Sequence, residues 1–140
     1  MTSSGADLKP RRIVIDTSTY SQWGRGHEDT ARRIAEAERV LVPTIVLGEL
    51  CAGFQLGIRR AANERFLQAF LAQPFAEIID VDADVALRYA ALFARLRRAG
   101  TPIPTNDIWI AACTLASGAH LVTFDADFEH IEELPRTLLT

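Results

Sequence analysis

Four short runs of aliphatic, largely β-branched residues, separated by helical stretches, constrain the fold of this chain more than any other feature. They are "IVI" (13–15), "VLVPT" (40–44), "EIIDV" (77–81) and "HLVT" (120–123), with "RTLLT" (136–140) as a short final candidate. Apolar runs this short, bounded by charge, Ser/Thr or Pro, read as buried strands rather than helices. Helical composition fills the intervals at 27–39, 45–57, 59–73 and 82–100, and again from about Asp107. In the clearest of these helices Val85, Tyr89, Leu92, Phe93 and Leu96 recur at three- and four-residue spacing, and Gly100 ends it. Thr44 is expected to cap the helix that follows the second run. The alternation predicts an α/β fold, a mainly parallel sheet of four to five strands with helices on both faces. A length of 140 residues suits one domain over 1–140, with only residues 1–10 expected to be loose.

Acids occupy the places where such a sheet binds ligands, beyond the carboxyl ends of its strands. Asp16 directly follows the first run, and Asp125 lies just past the fourth in the turn "FDAD". Glu49 shares a helix face with Val46, Leu50 and Gly53, where a carboxylate is costly unless paired or bound to metal. Gly53 leaves room there for a close approach. Asp107 opens the apolar helix "DIWIAACTLASG". Singly, each has an ordinary explanation: a rim ion pair for Glu49, a first-turn acid for Asp107, turn residues for Asp125 and Asp127. A purely capping role makes Asp107 redundant, because Thr105 and Asn106 beside it can cap as well. Jointly, these acids form an oxygen-only set that suits a hard ion such as Mg²⁺ or Mn²⁺. Carboxylates held so close repel one another unless a cation covers them. A metal so placed serves phosphodiester hydrolysis.

The remaining features narrow the classes. The net charge of −3 alone argues against nucleic-acid binding, yet every basic residue except Lys9 is arginine, whose planar fork suits phosphate. Aspartyl-phosphate chemistry after "VID" is disfavoured by Ser18, where a second Asp would stand in one such class, and by the lack of any lysine after Lys9. No GxxxxGK[ST] or GxGxxG sequence is present. His27, His120 and His130 lack a triad setting, so a Ser or Cys nucleophile is poorly supported. Cys51 and Cys113 sit in apolar helical contexts and read as core fillers, compatible with a reducing cytoplasm. No secretory signal and no membrane-length apolar run are apparent.

"VIDTS", "LGELCAG", "PIPTNDIWIAA" and "LVTFDADF" together resemble the PIN-domain ribonucleases, and more closely VapC-type toxins of toxin–antitoxin pairs. The resemblance runs from about Arg12 to Leu134 and implies a PIN-like three-layer fold. It implies a metal-dependent endoribonuclease with Asp16, Glu49, Asp107 and Asp125 as its Mg²⁺ or Mn²⁺ site. Asp127 substitutes for or assists Asp125 in this scheme, and Ser18 is a supporting polar residue. The implied partners are RNA, a VapB-type antitoxin and a second copy in a homodimer, with no membrane. Arg95, Arg97 and Arg98 are candidates for RNA phosphates or antitoxin acids, against the plainer reading of a solvated helix face. Trp23, beside Gly24 and Gly26 in an expected loop, is a base-stacking candidate, whereas Trp109 reads as packing. A PIN-like module that binds nucleic acid without cutting, or a PIN nuclease of RNA maturation, are the alternatives.

Overall fold

A computed structural model describes residues 10–140. The loose segment expected up to residue 10 lies, but for Pro10, outside the described residues. The chain runs β1 (Arg12–Ile15), α1 (Thr17–Gly24), α2 (Glu28–Glu36), β2 (Arg39–Pro43), α3 (Thr44–Leu56), α4 (Arg60–Leu71) and β3 (Ala76–Ile79). It continues through α5 (Ala83–Arg98), α6 (Thr105–Ser117), β4 (His120–Thr123), a 3-10 turn (Ala126–His130) and β5 (Arg136–Leu138). All pairings are parallel, in the order β3-β2-β1-β4-β5. The expected α/β architecture is thus present with five strands.

The strands form where the β-branched runs predicted them, because both faces of a parallel sheet are covered and no alternation is needed. Val14, Ile15, Val40, Leu41 and Leu121 are fully buried. The chain steps from β1 outward to β3, then returns across the sheet to β4 and β5. Right-handed crossovers therefore put α1 to α4 on one face and α5 with α6 on the other. On the first face Tyr20 meets Trp23 and Phe70 ring to ring; on the second, Trp109 stacks on Tyr89 with centroids 3.8 Å apart. The α5 stripe is confirmed, with Val85, Leu92 and Leu96 buried and Tyr89 and Phe93 packed against the core. The order reverses at β1 and β4, which makes the gap beyond their carboxyl ends the crevice of this sheet.

Local expectations fail at three helix starts. Residues 17–24 form α1, although hydroxyl residues and glycine give that stretch poor helix propensity. Asp16 supplies the cap, its Oδ1 accepting the Thr19 amide at 3.0 Å, and Tyr20 and Trp23 supply the packing. Thr44 is the first residue of α3 rather than its cap; Pro43 precedes it and no side chain caps the helix. Helix α6 begins at Thr105, with Pro104 before it and again no capping side chain. Its far end follows the rule, with Gly118 in the left-handed region at φ 61°.

Candidate active site

At the mouth of the crevice Asp16 is 5% exposed, which for a carboxyl demands partners. They come from both sides of the β1–β4 seam. Oδ1 accepts the Thr19 amide, and Ser18 Oγ donates to it at 3.2 Å. The Thr19 hydroxyl stands 2.7 Å from that oxygen and 2.8 Å from the Val122 carbonyl, its single proton lying between two acceptors. Oδ2 accepts the Thr123 hydroxyl at 2.5 Å, and the same hydroxyl oxygen accepts the Asp125 amide at 3.0 Å. A polar chain thus joins the end of β4 to the end of β1.

The other acids converge from separate helices. On α3 the half-buried Glu49 accepts the Thr17 hydroxyl at 2.6 Å and the Asn106 amide at 3.2 Å, so α1 and α6 both hold it. Asn106 therefore spends its side chain on Glu49 instead of capping α6. Gly53, one turn further on, faces open space. One carboxyl oxygen each from Asp107, Asp125 and Asp127 lie within 4.8 Å of one another, the one such group among the described residues. Asp125 Oδ1 also accepts the Asp127 amide at 2.9 Å, which closes the turn. Burial first, then the charge and hydrogen bond of Asp125 and the charges of Asp16 and Glu49, push Asp107 up to about 7. Near neutral pH its protonated and charged forms are therefore evenly matched, with Asp125 as hydrogen-bonding neighbour.

The family model of the PIN domain matches residues 13–134. Ribonuclease VapC4 of Mycobacterium tuberculosis is 39% identical over 86% of this chain and 92% of its own length. Plasmid stability protein StbB of Pseudomonas syringae pv. tomato is 34% identical over 81% and 87% respectively. The crystal structure of VapBC2 from Rickettsia felis, bound to a DNA fragment from their promoter, contains a chain with TM-score 0.81 and 27% identity, covering 91% of this chain and 98% of that one. This chain belongs to the PIN-domain family.

The acid group of this PIN domain is oxygen-only, and burial together with the neighbouring carboxylates disfavours the charged form of Asp107. Those are the properties of a site that a hard divalent cation fits, since the ion relieves the repulsion. All the acids singled out in the sequence meet here: Asp16, Glu49, Asp107, Asp125 and Asp127. Ser18 joins them through Asp16.

Other candidates lie elsewhere. Arg95 is paired with Glu133 at 2.6 Å, Arg97 lies over the Phe93 ring, and Arg98 is exposed on the same helix. Trp23 stands on α1, not in a loop, and packs against Tyr20, Phe66 and Phe70. Sequence reasoning missed Thr17, Thr19 and Thr123, and took Asn106 for a cap. Their signal is positional: a hydroxyl or amide within three residues of an acid at a strand end or helix start.

Proposed function

We propose that this protein is a metal-dependent endoribonuclease that hydrolyses RNA phosphodiester bonds and acts as a VapC-type toxin. The observation that carries this reading is the convergence of Asp16, Glu49, Asp107, Asp125 and Asp127 on the crevice where β1 and β4 end. Mg²⁺ or Mn²⁺, held by Asp16, Glu49, Asp107 and Asp125 with Asp127 beside them, would supply Lewis acidity toward the phosphate and the attacking water. The protein's own part is positional. Thr19 and Thr123 fix the Asp16 carboxyl from both sides of the seam, while Thr17 and Asn106 fix both oxygens of Glu49. A bound cation would favour the charged form of Asp107 and so offset the burial and neighbouring charge that disfavour it. Among the described residues no arginine bonds to these acids, so their charge is left for a cation.

Relatives support the biological setting. VapC4 is named a ribonuclease, and the R. felis neighbour comes from a VapBC pair. A VapB-type antitoxin, a homodimer and a cytoplasmic location complete the reading. No helix of the described residues is long and apolar enough to cross a membrane.

The test is cleavage of a structured RNA by purified protein in Mg²⁺ or Mn²⁺, beside Asp16→Asn and Asp107→Asn. Both substitutions should abolish the cut. Undiminished cleavage by both, with contaminating nuclease excluded, sinks the proposal.

A further inference from the structure

His27 bonds to none of the crevice acids, yet it reaches the chain just past the ends of β4 and β5. It precedes α2 and caps it, its Nδ1 accepting the Thr30 amide at 3.2 Å. With Nδ1 an acceptor, the ring proton belongs on Nε2, which stands 3.2 Å from the main-chain oxygen of Thr140. The ring also meets Phe124 edge to face, with centroids 5.1 Å apart and planes at 81°. His120, by contrast, opens β4 at the other end of the sheet and bonds to Thr137 there.

Both reaches of His27 lead to the turn that carries Asp125 and Asp127. Phe124 stands between Thr123, whose hydroxyl donates to Asp16, and Asp125. Thr140 follows the buried Leu139, whose amide donates to the Thr123 carbonyl at 2.7 Å. The peptide joining Thr123 to Phe124 is therefore held from two sides, by a ring contact at Phe124 and by Leu139 at the Thr123 carbonyl. One histidine anchors both.

This turn has reason to be held from outside. Within it, the Asp125 amide bonds to Thr123 Oγ1 at 3.0 Å and the Asp127 amide to Asp125 Oδ1 at 2.9 Å. Against those bonds stand the carboxyl oxygens of Asp107, Asp125 and Asp127, gathered within 4.8 Å, which repel one another when charged. A ligand set of that kind keeps its geometry when the backbone carrying it is braced by packing and by hydrogen bonds beyond the ligands. Capping alone does not account for the choice of residue. Asn, Asp, Ser or Thr would serve α2, but none carries a ring with a second donor on its far side.

We infer that His27 is a positioning residue for the metal-binding turn: through Phe124 and the Leu139–Thr140 segment it keeps Asp125 and Asp127 at the spacing a divalent cation requires. The inference rests on the nuclease reading above and adds to it a residue outside the acid set.

The experiment compares wild type, His27→Asn, Phe124→Leu and the double variant by calorimetric titration with Mn²⁺ and by amide hydrogen exchange in chelator. Asparagine keeps an acceptor for the Thr30 amide while removing the ring and the reach to Thr140; leucine keeps an apolar side chain without the ring edge. Each single variant should bind Mn²⁺ about tenfold more weakly, the low end for partners outside the ligands themselves. The double variant should be about as weak as His27→Asn alone, because the two changes remove one shared contact. Exchange at the Asp125 and Asp127 amides should quicken in all three, while the α2 amides keep their wild-type rates. Wild-type Mn²⁺ affinity in His27→Asn overturns the positioning role and leaves His27 a helix cap. So does a loss of affinity accompanied by faster exchange throughout α2 and the strands, which marks general destabilisation. If the wild type binds no Mn²⁺ and cuts no RNA, the nuclease reading falls and exchange decides the hold: unchanged rates at Asp125 and Asp127 overturn it, and faster rates confined to that turn uphold it.

Discussion

Asp107 shows how much one side chain depends on its neighbours. Unfolded, its carboxyl ionises near the usual value of about 3.9. Folded, it holds its proton up to about 7, because burial and the surrounding acids disfavour the charge. Between those values the folded state binds a proton that the unfolded state lacks, so stability falls as pH rises through the window. Asp107→Asn removes the penalty. In chelator, the variant should melt about 3–6 °C above wild type at pH 8, allowing for solvent screening of a half-exposed group. The difference should vanish near pH 4; a gain independent of pH would refute the assignment. Thr123 makes a second case, because its hydroxyl serves Asp16 as donor and Asp125 as acceptor. Thr123→Val should cost about 1–2 kcal/mol in urea denaturation and lower Mn²⁺ affinity roughly 10- to 100-fold in calorimetric titration. The acids were legible in the sequence because a carboxylate on an apolar segment is anomalous. Thr123 was not, since threonine at the end of a strand is what strand propensity alone provides.

At the scale of elements, strands and long helices follow from local pattern, while α1 does not. Nothing in "TSTYSQWG" repeats at helical spacing strongly enough to outweigh its hydroxyl residues. Its helix depends on the Asp16 cap and on an aromatic cluster whose other members, Phe66 and Phe70, lie more than forty residues away on α4. Long-range packing of that kind has no local signature. Trp23 measures it: Trp23→Ala should destabilise the protein by about 2–3 kcal/mol, below the range for a fully buried aromatic because the ring is half-exposed. Urea denaturation followed by far-UV circular dichroism would show this, and a change under 0.5 kcal/mol would mean that the cluster contributes little. The start of α6 makes a related point. Asn106 looks like a cap by residue type, but α6 starts behind Pro104 and the Asn106 amide reaches Glu49 instead. Residue type identified a polar tether there, and only the tertiary structure identified its target.

For the molecule as a whole, alternating strands and helices implied a parallel sheet, and a parallel sheet implied a shared edge for acids at strand ends. Strand order was not legible, because adjacency in a sheet is settled by crossover packing and not by any single segment. That order turns four separate stretches of chain into one site. Asp16 follows β1, Glu49 lies on α3, Asp107 on α6 and Asp125 after β4, so a cation held by them would tie together segments spanning more than a hundred residues. A ligand that binds the folded state and not the unfolded one stabilises it by mass action. At a Mn²⁺ concentration about 100 times its dissociation constant, the gain should be about 2.7 kcal/mol. Thermal melts across a Mn²⁺ series should therefore rise steadily for wild type and stay flat for Asp107→Asn. Equal rises in both would place the ion on ordinary surface acids, away from the β1–β4 crevice. A flat wild-type series at millimolar metal would show that the carboxylates settle their repulsion by holding the Asp107 proton alone.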